Sequence, residues 1–140
     1  MNVLTLDASA AAAWLLPDEA SDAADLLYQQ VLGQQTRLQA PGLWSWEVGN
    51  LLRMAARRGR LSDADCTQAI AQLGRAQVQL EGPPDEARMQ TTLTLARQAV
   101  LTYYDASYLE QALRTGTGLA TKDSALRQAA LRAGVPCIPL

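Results

Sequence analysis

The C-terminal residues 104–140 read YDASYLEQALRTGTGLATKDSALRQAALRAGVPCIPL. This stretch predicts a helix, a glycine-bearing turn, a short apolar strand over residues 118–121, a second helix and a final strand. Asp105 lies in the first turn of the first helix, and Asp123 comes just after the strand. Ligands gather outside the carboxyl ends of the strands in an open α/β sheet. An acid at such a junction is therefore in the right region to hold a metal ion.

The preceding residues alternate in the same way, with two helices between consecutive strands. Three more strands are predicted over 2–6, 36–40 and 78–80, and five more helices over 8–16, 20–32, 43–58, 62–73 and 85–99. Strands that are separated by helical crossovers predict a mostly parallel sheet with helices on both faces. Because no linker or internal repeat interrupts the pattern, we expect a single α/β domain over residues 1–140.

Local signals predict where several helices begin and end. Ser62 is expected to be an N-cap with Asp65 as its capping-box partner. Gly33 and Gly59 are expected to end the helices that precede them, each as the residue after the C-cap.

The composition excludes several classes of enzyme. The chain has no histidine, which removes Ser-His-Asp, Cys-His and histidine acid/base catalysis. Its two cysteines, Cys66 and Cys137, are isolated, so a zinc site is not expected. Any hydrolytic chemistry must therefore rest on carboxylates, most plausibly with a metal ion.

The distribution of apolar residues predicts a cytoplasmic protein that is not inserted in a membrane. No apolar run approaches the roughly 20 residues that cross a bilayer. Residues 8–16 resemble the apolar part of a signal peptide, but no basic leader precedes them and Asp7 stands directly before them.

Four acids, Asp7, Glu47, Asp105 and Asp123, are candidates for a common site, although each also has a simpler explanation. Asp7 and Asp123 could cap the helices that follow them, and Asp105 could be the capping-box partner of Thr102. Glu47 lies one turn into an otherwise apolar helix, where a carboxylate is costly unless it is paired or bound to a metal. A contact with the positive end of the helix dipole is the alternative for Glu47.

The joint placement of the four acids favours a metal site. In a parallel sheet, Asp7 and Asp123 follow strands, while Glu47 and Asp105 lie in the first turns of helices that start at the same edge. Clustered carboxylates repel one another, and a divalent cation relieves that repulsion. Mg²⁺ or Mn²⁺ suits a site built from carboxylate oxygens.

Four segments in this order resemble the PIN-domain family, and in particular the VapC-like ribonuclease toxins of type II toxin–antitoxin pairs. They are LDASAAAAWLLPDE at 6–19, WEVGNLL at 46–52, YDASYLEQAL at 104–113 and GLATKDSALRQAA at 118–130. The resemblance implies a three-layer α/β/α fold and metal-dependent endoribonuclease activity. It also implies an RNA substrate, a cognate antitoxin as partner and a homodimer.

The resemblance also implies roles for individual residues. It assigns the four acids to the metal site, and Ser9, Asn50 and Thr121 to positions that support those acids by hydrogen bonding. Some relatives carry a further acid in the last helix, where this chain has Leu126, Arg127 and Gln128. That difference bears on whether a second metal ion is held without the RNA phosphate.

A cluster of arginines is the candidate contact for the RNA backbone, within a net charge of −2. A solvated helix end is the simpler explanation for each arginine. For Trp14, Trp44 and Trp46 we expect packing in the core or in a dimer rather than stacking on bases. The arginines of the cluster are Arg53, Arg57, Arg58 and Arg60.

Two other functions are compatible with an α/β sheet. The first is a non-catalytic interaction module in which the acids are helix caps. The second is an aspartyl-phosphate enzyme or receiver domain, which the sequence disfavours. A nucleophilic aspartate enzyme would need an acid where Ser9 stands, and the strand at 78–80 is followed by Glu81 and Gly82.

Overall fold

A computed structural model describes residues 1–140 and contains one five-stranded sheet. The strands are β1 (Asn2–Leu6), β2 (Thr36–Pro41), β3 (Gln79–Glu81), β4 (Gly118–Ala120) and β5 (Cys137–Ile138). Their order in the sheet is β3-β2-β1-β4-β5, and every neighbouring pair is parallel. The predicted parallel sheet is confirmed, and β1 is its central strand.

Seven helices and one 3₁₀ turn, Pro17–Glu19, connect the strands. The helices are α1 (Ala8–Leu15), α2 (Asp22–Leu32), α3 (Leu43–Arg57), α4 (Asp63–Ala76), α5 (Glu86–Ala99), α6 (Tyr103–Thr115) and α7 (Ser124–Arg132). They flank the sheet in a three-layer α/β/α arrangement, which confirms the predicted fold class. None of these helices is long and apolar enough to cross a membrane.

Buried side chains lie on both faces of the central strands. Leu4, Leu6 and Leu38 are buried on one face, and Leu119 is buried on the other, where it is paired with the buried Thr5. Burial on both faces is typical of parallel strands that are covered by helices on both sides.

The helix ends follow local signals with one exception. Ser62 and Asp65 form the predicted capping box, and Gly59, at φ +72°, follows the C-cap of α3. Gly33 was expected to be the residue after the C-cap of α2, and this prediction is wrong. Gly33 is the C-cap at φ −80°, and Gln34 takes the left-handed position at φ 60°. The Gln35 N–H donates to the Gln30 carbonyl at 2.9 Å and closes the turn. The residue after the C-cap is therefore Gln34, one position later than expected.

The strand register determines which side chains meet at the carboxyl edge of the sheet. Leu6 of β1 is paired with Ala120 of β4, so Asp7 and Thr121 leave the sheet side by side. α3 starts directly after β2, and α6 ends just before β4. The N-termini of both helices are therefore at the same edge as Asp7 and Thr121.

Candidate active site

Asp7 is the most buried of the four acids, with 4% of its surface exposed. Its Oδ1 accepts a hydrogen bond from the Ala10 N–H at 2.9 Å, so it is the N-cap of α1. Its Oδ2 accepts a hydrogen bond from the Thr121 hydroxyl at 2.6 Å. Burial raises the pKa of Asp7 from 3.8 to about 6, against the opposing effect of these donors and with a contribution from the charge of Asp123. No ion pair compensates this carboxylate.

Two hydroxyl side chains hold Asp7 in place. The Ser9 hydroxyl donates to both Asp7 oxygens at 2.8 and 2.9 Å and accepts the backbone N–H of Lys122 at 2.8 Å. Thr121 also accepts the backbone N–H of Asp123 at 3.0 Å. The N-terminus of α1 and the loop after β4 are thereby joined through one carboxylate. The geometry of Ser9 and Thr121 is that of the supporting residues predicted from the resemblance.

Asp123 and Asp105 are partly exposed. Asp123 caps α7 by accepting the Leu126 N–H at 2.9 Å. The Asp105 backbone N–H donates to the Thr102 hydroxyl at 3.1 Å, so Thr102 is the N-cap of α6. Burial, together with the negative charge of Asp123, raises the pKa of Asp105.

Glu47 is tied to the other acids by a tyrosine. The Tyr108 hydroxyl donates to Glu47 Oε1 at 2.5 Å. Burial raises the pKa of Tyr108 above its ordinary value, as do the bond to Glu47 and the charges of Asp7 and Asp105. The charges of Glu47, Asp7 and Asp105 thus act on one buried phenol, although Asp7 and Asp105 are 98 residues apart in the sequence.

We call the four acids at the carboxyl edge of the sheet the acidic rim: Asp7, Glu47, Asp105 and Asp123. No group of three or more His, Cys, Asp or Glu side chains is drawn together tightly enough to enclose a metal ion. The four main grooves of the surface, with volumes from about 210 to 630 Å³, are lined by other residues. The donor set nevertheless suits Mg²⁺ or Mn²⁺, because it consists of carboxylate and hydroxyl oxygens with no basic partner.

Three basic side chains are engaged in contacts away from the four acids. Lys122 donates to the Glu19 carbonyl at 3.2 Å, and Arg60 pairs with Asp18 at 2.9 Å and with Glu19 at 3.1 Å. Arg60, one of the predicted RNA contacts, is therefore occupied in holding the 3₁₀ turn. Arg127 donates to the Thr121 carbonyl at 3.1 Å.

The other three candidate arginines are exposed and form no ion pair. α3 runs away from the rim, so Arg53 lies about 9 Å beyond Glu47 along the helix axis and Arg57 about 15 Å beyond it. A bound RNA would have to extend over several nucleotides to reach both the acids and Arg57.

Two features of the site were not predicted from the sequence. Tyr108 was not singled out, although its position one turn after Asp105 places both residues on one face of α6. Trp46 was expected to pack in the core or in a dimer, yet 80% of its surface is exposed in the single chain.

Asn50 is exposed and forms no side-chain hydrogen bond to any of the four acids, unlike Ser9 and Thr121.

Comparison with known proteins gives the class of the fold first. The chain superimposes on the crystal structure of PAE2754 from Pyrobaculum aerophilum with a TM-score of 0.71 and 27% identity, covering 99% of this chain and 84% of that one. It superimposes on FitAcB from Neisseria gonorrhoeae with a TM-score of 0.61 and 14% identity, covering 97% of this chain and 96% of that one. The arrangement is that of a PIN-like α/β/α protein.

The sequence comparison gives the family. The chain is 30% identical to ribonuclease VapC3 of Pyrobaculum aerophilum over 125 residues, which is 89% of this chain and 92% of VapC3. It is 31% identical to exonuclease VapC9 of the same organism over 99 residues, which is 71% of each chain. No model of a known protein family matches the sequence. The chain belongs to the VapC ribonuclease family of PIN-domain proteins, and is thus a hydrolase of the nuclease class.

Proposed function

We propose that this chain is a Mg²⁺- or Mn²⁺-dependent endoribonuclease and the toxin of a toxin–antitoxin pair in the cytoplasm. The observation that carries the proposal is the buried Asp7 carboxylate, which shares the rim with three further acids and has no cationic partner. A structural role alone would not require this burial, because an N-cap carboxylate works equally well in solvent.

Each residue of the rim has a separate task in this proposal. Asp7, Glu47, Asp105 and Asp123 hold the cation with their carboxylate oxygens. A divalent cation bound there would activate water and neutralise the charge that develops on the phosphate. Ser9 and Thr121 keep Asp7 oriented, so that little rearrangement is needed when substrate binds. Arg53, Arg57 and Arg58 attract the RNA backbone from the exposed side of α3.

The experiment uses the purified chain without a partner, a circular single-stranded RNA and a titration with Mn²⁺. A circular substrate separates endonuclease from exonuclease activity, which matters because one relative is a ribonuclease and another an exonuclease. We expect cleavage that depends on Mn²⁺ and falls by about 10²- to 10³-fold in Asp7→Asn and Asp105→Asn.

The matched control is Asp85→Asn. Asp85 caps α5 through a 2.9 Å bond from the Arg88 N–H, as Asp7 caps α1, but it lies outside the rim. Asparagine is also a good N-cap, so these substitutions retain capping and remove only the negative charge. Asp85→Asn should keep full activity.

The second candidate function is a non-catalytic interaction module. It is favoured by the fact that Asp7 and Asp123 do cap helices. Glu47 is the exception, because it lies within α3 and is bound by Tyr108 instead. A wild-type chain that neither binds Mn²⁺ nor cleaves RNA would favour the module.

The proposed antitoxin covers the acidic rim and keeps RNA away from it. The open reading frame next to the gene of this chain is the place to look for it. The encoded protein should form a complex with the purified chain and inhibit RNA cleavage at a 1:1 ratio. Absence of binding by that protein would contradict its role as antitoxin, and would leave the nuclease proposal intact.

The proposed homodimer uses the exposed apolar side chains beside the rim. Trp46 and Tyr104, with 80% and 59% of their surfaces exposed, line a groove of about 380 Å³ between α3 and α6. Sedimentation should give the mass of a dimer for the wild type and of a monomer for Trp46→Glu. Leu26→Glu, which changes an exposed leucine on α2, should remain a dimer. A wild-type monomer at micromolar concentration would refute this arrangement.

A further inference from the structure

Tyr108 is the only fully buried tyrosine of the chain, with 1% of its surface exposed. It is one turn after Asp105 on α6, and its ring lies in the core beneath the acidic rim. A buried phenol hydroxyl normally has a hydrogen-bond partner. The partner of Tyr108 is a carboxylate of another element, Glu47 on α3, at 2.5 Å.

This contact is the one side-chain hydrogen bond between α3 and α6. It occupies Oε1 of Glu47, while Oε2 forms no hydrogen bond within the protein. Glutamate has three side-chain torsions and Glu47 is only half-buried, so without an anchor its carboxylate could turn into solvent. The fixed tyrosine removes that freedom.

The hydroxyl of Tyr108 is suited to act as a hydrogen-bond donor. Burial, the bond to Glu47 and the surrounding negative charges raise the pKa of Tyr108, which favours the protonated form.

We infer that Tyr108 is a positioning residue that points the Glu47 carboxylate at the acidic rim, and so sets the affinity of the rim for a divalent cation. This inference rests on the proposed function, because it assumes that the rim binds the cation. Groups that orient metal ligands typically change metal affinity by 10- to 100-fold when they are removed.

The test is the Mn²⁺ dissociation constant of the partner-free chain, measured by calorimetry without RNA. Tyr108→Phe removes one hydroxyl and keeps the ring in the core. We expect the dissociation constant to rise by about tenfold or more. In RNA cleavage at saturating Mn²⁺, activity should recover, because the substitution weakens binding of the cation and leaves the four carboxylates in place.

The matched control is Tyr28→Phe. Tyr28 is also buried, and its hydroxyl donates to the Gln72 carbonyl at 2.8 Å, far from the rim. This variant loses a comparable hydrogen bond and should show the effect of that loss on unfolding alone, with Mn²⁺ affinity unchanged within about twofold.

A double-mutant comparison separates positioning from a general loosening of the fold. If Tyr108 acts through Glu47, Tyr108→Phe should have no further effect on Mn²⁺ affinity in a Glu47→Gln background. An equal loss in both backgrounds would overturn the inference, as would an unchanged affinity in Tyr108→Phe. Failure of the wild type to bind Mn²⁺ or cleave RNA would instead count against the proposed function.

Discussion

The two ends of α6 carry acids in opposite electrostatic settings. At its C-terminal half, Glu110 accepts the Arg114 guanidinium at 2.7 Å, and Arg114 also reaches Glu81 at 2.7 Å. At its N-terminal end, Asp105 lies at the same edge of the sheet as Asp7 and Asp123, and none of the three has an arginine or lysine partner. The first region is termed the paired edge, comprising Glu81, Arg88, Glu110 and Arg114, and the second is the acidic rim.

The pKa values of the two regions move in opposite directions. Burial raises the pKa of Glu81, but the hydrogen bond from Arg114 and the charges of Arg114 and Arg88 outweigh it and hold that pKa below its usual range. Burial also raises the pKa of Asp7, and there the hydroxyl donors are too weak to reverse the shift. Where arginine is present, the fold itself compensates the carboxylate. At the rim, no arginine or lysine of the protein compensates the carboxylates. This is expected of a site whose charge is compensated by a bound ligand.

The largest difference between the two regions should appear in RNA cleavage. Asp123→Asn removes one rim charge and retains the cap of α7, so we expect activity to fall by about 10²- to 10³-fold. Glu81→Gln removes a charge from the paired edge and should change activity by less than about threefold. Cleavage assays at saturating Mn²⁺ measure the activity of both variants relative to wild type. Equal losses of activity would show that the rim carboxylates have no special role in cleavage.

The second expected difference is one of sign in stability. In EDTA at pH 7.5, Asp7→Asn should increase the free energy of unfolding by up to about 3 kcal/mol. The folded pKa of Asp7 is about 6, above its ordinary 3.8, so the folded state loses stability as pH rises through this interval and the acid ionises. An amide avoids that ionisation, and Thr121 can turn its hydroxyl to accept the new N–H.

Denaturant unfolding over pH 4–8 measures this gain. It should be absent near pH 4, grow between pH 4 and 6, and stay constant above that range. Asp18→Asn is the control, because Arg60 lowers the pKa of the exposed Asp18 through a hydrogen bond, so its loss should give no gain. A loss of stability in Asp7→Asn at pH 7.5 would show that the ionised Asp7 carboxylate does not destabilise the fold.

At the paired edge, a charge-removing substitution should destabilise the fold. Glu110 is buried and Arg114 is partly exposed, so Glu110→Gln should lower the free energy of unfolding by about 1–2 kcal/mol. The amide keeps the volume of the side chain, and the loss therefore reports the ionic interaction. Urea unfolding at pH 7.5 measures it, and added salt should reduce the difference between Glu110→Gln and wild type.

Much of the fold was predictable from local patterns. The apolar runs of the strands, the capping box at Ser62 and the acids after β1 and β4 all depend on neighbouring residues. The prediction placed Asp7 and Asp123 at one edge because parallel strands share their carboxyl ends. The family motifs then gave the class of protein, which the relatives confirm.

The parts that were not predictable depend on distant contacts. The bond between Tyr108 and Glu47 spans 61 residues of sequence, and the pairing of Arg60 with Asp18 spans 42. A pattern of charges in the sequence does not distinguish an unpaired arginine from one that forms an ion pair with a distant loop. The exposure of Trp46 is similarly a property of the assembled surface. The strand order was also beyond the sequence pattern, which fixes only the parallel direction.

The smallest expected effect concerns the arginines of α3. Arg57 and Arg58 are exposed and form no ion pair, so the double substitution by alanine should weaken RNA binding by about 3- to 10-fold. The slope of log affinity against log salt should fall by about 1.4, since each phosphate contact with a single strand contributes about 0.7. Arg60→Ala should leave the slope unchanged because Arg60 is paired with Asp18. A reduced slope in Arg60→Ala would show that its pairing gives way to RNA.

The hydrogen bond from Thr121 to Asp7 joins residues that lie 114 positions apart in the chain. A ribosome releases Asp7 first, and Thr121 and Asp123 must emerge much later before β4 can dock beside β1. A nascent chain therefore lacks half of its acidic rim until translation is nearly complete.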